Sequence, residues 1–181
     1  YLTVLFEMGT NSRADAIGSS LIAYSFMGLM TLLACGLVDR LGRRPLWIVN
    51  SLGMIGATAL LGVVFHFNVT GPVVLAAVFL CAIPHSFALG PLPWLMMSEI
   101  FPTRIRARAV AITTTFIWTV GFLASYLFPL MAKGSTELIG SIAGVFWISS
   151  VVCVLAFVFG VTLLPETKGR TLEEIAESWK R

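Results

Sequence analysis

The sequence predicts an all-α integral membrane bundle on three observations: a composition too apolar for water, charge-free stretches of membrane-crossing length, and cations confined to alternate connections. A soluble domain carries about a quarter charged residues, whereas only 12% of these 181 residues are charged and 57% are hydrophobic. Mean hydropathy is +0.92. Residues 45–98 contain no Asp, Glu, Lys or Arg. About 20 apolar residues cross ~30 Å of hydrocarbon, so that stretch holds two spans.

The elements follow in order. Residues 1–9 are apolar up to Glu7 and open without Met, which reads as the end of a preceding helix in a chain that is part of a longer one. Complete spans are expected at 17–38, 46–67, 73–97, 109–132 and 139–164, none containing a formal charge. Between the second and third, His66-Phe67-Asn68-Val69-Thr70-Gly71-Pro72 supplies turn chemistry in a hydrophobic background. Asn68-Val69-Thr70 also fits the glycosylation acceptor pattern, but in so short a loop a plain turn is the simpler reading. The third span contains Pro84, Gly90, Pro91 and Pro93, which remove backbone donors and predict an interruption near mid-membrane. The tail, 165–181, reads as a short amphipathic helix: Thr171 and Glu174 have capping-box spacing, and Leu172, Ile175, Ala176 and Trp179 share a face. Docking on the bundle and anchoring at the bilayer surface explain that face equally well.

Ten of the twelve Lys and Arg fall in segments 39–45, 98–108 and 165–181; the alternate segments hold Arg13 and Lys133. By the positive-inside rule the first set faces the cytoplasm, carrying the carboxy terminus with it. The net charge of +3 is therefore a topological signal and not a nucleic-acid footprint. Cys35, Cys81 and Cys153 lie inside spans at no metal or disulfide spacing, so neither a metal nor a cofactor is expected.

Three spans end near acids: Asp39, Glu99 and Glu166. A helix C-terminus is the negative end of its dipole, so an acid there is unfavourable by up to ~1 kcal/mol unless a cation answers it. Arg40, Arg43 and Arg44 follow Asp39; Arg104, Arg106 and Arg108 follow Glu99; Lys168 and Arg170 follow Glu166. Topology sorting needs the cations but gains nothing from the carboxylates. Their presence predicts a specific ion-pair network, and a network that forms in one conformation and breaks in another is what a gate requires.

Three segments resemble those of one family. Asp39-Arg40-Leu41-Gly42-Arg43-Arg44 is similar to the short loop motif of the major facilitator superfamily. Gly90-Pro91-Leu92-Pro93-Trp94, followed by Ser98-Glu99-Ile100-Phe101-Pro102-Thr103-Arg104-Ile105-Arg106, resembles the tenth-helix signature of its sugar porters. Pro165-Glu166-Thr167-Lys168-Gly169-Arg170 resembles the segment after their twelfth helix. The resemblance covers the whole chain and implies the C-terminal half of a transporter, from the end of helix 7 to the tail. It assigns Asp39, Arg43, Glu99, Arg106 and Glu166 to a cytoplasmic charge network, with Arg40 and Arg44 beside them. It also implies that Trp94 stacks on a sugar ring, that the Trp118 position lines the same cavity, and that the chain's partners are a small solute, the bilayer and an absent N-terminal half. Coupling to protons stays open, because the family's protonatable Asp lies in helix 1.

Helical spacing places Gly90, Pro91 and Phe87 with Trp94, and Thr114 and Thr115 with Trp118. Three positions depart from hexose carriers: Met27 and Ile117 stand where an amide is usual, and Ser86 where a Glu is usual. A sugar hydroxyl needs hydrogen-bond partners, so an apolar wall of Met27, Phe87 and Ile117 points to a less hydroxylated solute. By strict spacing His85 faces away from Trp94, as an interhelical histidine would, with ligand contact the alternative. A carrier is the leading reading. A nutrient sensor on a carrier fold is the second, and an embedded enzyme lacks intramembrane acids or a nucleophile with its base.

Overall fold

A computed structural model of the chain describes residues 13–170, with side chains described from 17 onward. Among these residues all regular structure is helical: α1 Arg13–Leu41, α2 Arg43–His66, α3 Pro72–Pro84, a π-helical turn His85–Leu89, α4 Pro91–Ile100, α5 Arg106–Ile139 and α6 Ala143–Thr162. Because α3, the π turn and α4 run on as one 29-residue rod, Pro72–Ile100, there are five helices long and apolar enough to cross a membrane. The expected helix end at 1–9 and the amphipathic tail helix lie outside the described residues.

Local chemistry sets the boundaries. α1 and α2 meet at Gly42, whose φ of 89° is open to glycine and strained for other residues. Asn68 (φ 51°) and Gly71 (φ 78°) turn the chain between α2 and α3, and Pro72 opens α3 where its missing N–H costs nothing. α4 stops at Phe101, which is extended because it precedes Pro102. The longest deviation from the expected spans is in α5, which continues past residue 132 to Ile139. Gly134 does not break it; the left-handed Gly140 (φ 73°) does, and Ser141 Oγ then accepts the Ala143 N–H at 3.0 Å to start α6. Lys133 and Glu137 thus sit on helix, 3.9 Å apart, instead of in a loop.

α2 and α6 form the most extensive helix pair. Each contributes a tryptophan to a gap left by the other's glycine: Trp147 lies over Gly62, and Trp47 over Gly160, where a Cβ would collide with the indole. Trp47 Nε1 also donates to Ala156 O at 2.8 Å. Lipid is as apolar as leucine, so close packing and satisfied polar groups, not burial from water, hold such pairs together. The main cluster joins Leu61, Val64 and Phe65 of α2 to Val74, Ala77 and Val78 of α3 and Phe146 of α6. A second, at the Arg-rich end, joins Leu46 to Ala88 and Leu92. α5 has no buried residue and flanks the bundle.

Candidate functional site

The break in the third span is built by its prolines. Pro91 and Pro93 cannot donate to the helical ladder, and the chain accommodates this with one extra residue per turn: the Gly90 N–H reaches back five residues to His85 O, at 2.6 Å. The Ser86 carbonyl is then orphaned twice, since the Gly90 amide is committed and residue 91 has none. Thr31 of α1 supplies the missing donor, its Oγ1 lying 3.1 Å from Ser86 O and 3.0 Å from Met27 O. A side chain from a neighbouring helix therefore pins the irregular backbone, as buried carbonyls require.

The extra residue rotates everything before it by about one position. Trp94, Gly90 and Pro91 line a cavity of about 320 Å³ with Met27, Gly28, Thr31, His85 and Ser86. Phe87, expected beside Trp94, is turned into the packing cluster with Leu46, Ala88 and Leu92. His85, expected to face away, takes its place on the cavity wall. Ser86 lines the cavity, yet its hydroxyl is buried and has no partner. Ile117 is also elsewhere: with Thr113 it lines an apolar pocket against Pro93, Met97 and Phe101. Trp118, one residue on, faces the cavity side, its ring centroid 6.4 Å from that of Trp94. Thr114, Thr115 and Trp118 share a face as their spacing requires. The argument from Ile117 to a less hydroxylated solute loses its basis, because α5 presents Trp118 rather than Ile117 towards Trp94. Sequence reasoning missed Thr31 altogether; its place four residues after Met27, on the same face of α1, was the available signal.

The second constellation lies at the Arg-rich end. Arg43 Nη2 is 2.9 Å from both Glu99 Oε1 and Asp39 Oδ1. The Arg43 and Glu99 side chains are 11% and 21% exposed, whereas Asp39 is 75% exposed, so the Glu99 pair carries the interaction and Asp39 adds little. Thr167 Oγ1 donates to Glu99 Oε2 at 2.6 Å. Glu166 does not load the C-terminus of α6. Its carboxylate crosses to the N-terminus of α2, Oε1 accepting the Arg43 N–H at 3.0 Å and Oε2 the Arg44 N–H at 3.2 Å. There the helix dipole favours it. Arg44 answers in the opposite sense, donating to Gly160 O and Val161 O, among the last carbonyls of α6.

Two expected members behave differently. Arg106 does not pair with Glu99: its Nε donates to Phe101 O at 3.1 Å, and its Nη2 is buried without a partner. The extended backbone before Pro102 takes the Phe101 carbonyl out of the helical ladder, and Arg106, in the first turn of α5, donates to it. Arg40 contributes its carbonyl, which accepts from Lys168 Nζ at 2.5 Å. Three separate connections are thereby tied together: the α1–α2 turn, the end of α4 and the segment after α6. Among the described residues no group of His, Cys, Asp and Glu could hold a metal ion.

Five apolar spans, one of them broken at a tryptophan-lined cavity, with ionic ties joining their connections at one end, define half of a major facilitator membrane transporter. The chain belongs to the sugar (and other) transporter family, whose sequence model matches residues 1–179. It is 37% identical over 151 residues to the D-xylose-proton symporter of Escherichia coli K12, a match covering 83% of this chain and 31% of that protein. It is 34% identical over 184 residues to the facilitated trehalose transporter Tret1 of Bombyx mori, covering 97% and 35%. It superposes at a TM-score of 0.88, with 32% identity, on the proton:xylose symporter XylE bound to 6-bromo-6-deoxy-D-glucose, covering 99% of this chain and 38% of that one. The chain spans about a third of the length of the curated relatives it matches.

Proposed function

We propose that this chain is part of a carrier that moves a sugar or a related small organic solute across the plasma membrane by alternating access, with its Arg-rich end and carboxy terminus in the cytoplasm. The observation that carries the reading is the cavity at the helix break. Irregular backbone at membrane depth is tolerated where it lines a cavity or is buried in protein, and here it places the indole of Trp94 beside that of Trp118. Apolar sugar faces stack on such rings, while hydroxyls reach polar groups at the edge. The similarity to a xylose symporter and a trehalose transporter supports a saccharide as substrate. Similarity to proton symporters also supports protons as co-substrate, supplied through the part of the full-length protein outside this chain.

The charge network acts as the latch. Its ties hold three connections together on the side that the ten-to-two split of Lys and Arg assigns to the cytoplasm. Opening the cavity to that side requires breaking the Arg43–Glu99 pair, so the network biases the carrier towards the state in which the cytoplasmic end is closed.

The test is to reconstitute the full-length protein in liposomes and measure uptake of labelled D-xylose, D-glucose and trehalose. Saturable uptake of at least one, lowered at least about tenfold by Trp94→Ala as a stacked ring predicts, is expected. Absence of uptake with all three would overturn the carrier reading; binding without uptake would favour a nutrient sensor on the same fold.

A further inference from the structure

We infer that His85 is a specificity-determining residue of this cavity, its imidazole presenting a hydrogen-bonding nitrogen to one hydroxyl of the solute. The inference rests on the carrier reading above and deepens it. Its basis is the π turn: the extra residue carries His85 onto the wall shared with Gly90 and Trp94. The residue is exposed and lines both that cavity and a second one, and no described hydrogen bond or ion pair involves the imidazole.

Among the described residues the surroundings offer the ring no partner. Behind it lies a second pocket, about 380 Å³, in which Thr58 and Ser149 already turn their hydroxyls to their own helices, Thr58 to Met54 O at 2.7 Å and Ser149 to Val145 O at 2.8 Å. Tyr24 and Cys81 also line that pocket, and neither bonds the ring. In front, the hydroxyl hydrogen of Thr31 is committed to Met27 O and Ser86 O, which leaves Thr31 only as an acceptor. The Ser86 hydroxyl has no exposed surface. The indole N–H of Trp94 can donate but not accept. A neutral imidazole supplies one donor and one acceptor, the pairing a sugar hydroxyl needs. Gly90 keeps the approach open: a Cβ there would lie 3.6 Å from His85 Nε2 and 3.0 Å from His85 O.

The experiment uses the full-length carrier in liposomes and the best-transported sugar among D-xylose, D-glucose and L-arabinose, with its series of monodeoxy analogues. Affinities are compared for the natural protein, His85→Phe, His85→Leu and His85→Gln. The natural protein should bind one analogue about 3- to 10-fold more weakly than the parent sugar, the size of one net hydrogen bond. In the Phe and Leu variants discrimination at that position should vanish while the other positions keep theirs, and Gln, which retains a donor and an acceptor, should keep part of it. Natural discrimination at every position in both apolar variants would overturn the inference, and so would a uniform loss across the series. A natural protein that takes up no sugar at all instead defeats the carrier reading, so the two failures are separable.

Discussion

Arg43 links Glu99 and Asp39 through a single guanidinium nitrogen, and its backbone N–H is held at the same time by Glu166. The Glu99 arm is the sheltered one, so a double-mutant cycle on Arg43→Gln and Glu99→Gln should give a coupling of about 1–2 kcal/mol, within the range for directly bonded partners. The same cycle on Glu99 and Arg106 should give a value near zero, because those side chains do not meet in this conformation. Thermal unfolding of the full-length protein in detergent reads both; equal couplings would mean that Arg106 shares the Arg43–Glu99 network. Gly42 is the other sensitive residue. Its φ of 89° already excludes most side chains, and a Cβ would lie 2.7 Å from Glu166 Oε2. Gly42→Ala should therefore destabilise by about 1–3 kcal/mol from backbone strain and push the Glu166 carboxylate off the start of α2. A cysteine reporter in the α1–α2 turn should become more accessible to a membrane-impermeant thiol reagent; unchanged accessibility and stability would refute the collision.

The π turn is the element that decides the cavity, and Thr31 is what satisfies its loose carbonyl. Thr31→Val leaves Ser86 O without its side-chain donor and should cost about 1–3 kcal/mol, the penalty for a buried unsatisfied group. Pro91→Ala restores an amide at the position from which a π ladder would reach Ser86 O. Combining the two should therefore cost less than the sum of each alone, measured as unfolding temperature in detergent. Strict additivity would mean that the residue-91 amide goes elsewhere. The same element explains why strict 3.6-residue counting misplaced Phe87 and His85: prolines at 84, 91 and 93 announce an interruption, but an interruption can be a kink, an unwound gap or an inserted residue. Only the Gly90 to His85 hydrogen bond selects the last.

For the whole molecule, the distribution of charge predicts the orientation, and packing follows from shape. A fluorescent reporter fused after Arg181 should be quenched only from the cytoplasmic face, since ten of twelve cations lie on that set of connections. Quenching from outside would invert the orientation and overturn the proposed cytoplasmic latch. α5 carries Trp118 and Phe122 on a face that no other described helix covers, at 67% and 68% exposure. That face borders the cavity beside Trp94.

What the sequence determined by itself was the class of molecule, the five spans, the connections that carry charge, and the presence of a break in the third span. Each follows from composition or local covalent chemistry: hydrocarbon excludes charge, proline lacks an amide, glycine alone accepts the Gly42 turn. What only the tertiary structure decided was which groups meet. Glu166 follows α6 in sequence yet caps α2, because the two helices pack side by side with the end of α6 next to the start of α2; Arg106 misses Glu99 by binding the carbonyl that Pro102 freed. Ile117 and Trp118 are neighbours in sequence but about 100° apart on a helix, so a single residue of register sends one into an apolar pocket and the other to the cavity. In the third span the register is set by the Gly90 N–H to His85 O bond, and the Ser86 carbonyl it frees finds its donor on another helix; long-range partners of that kind leave no periodic trace in the sequence.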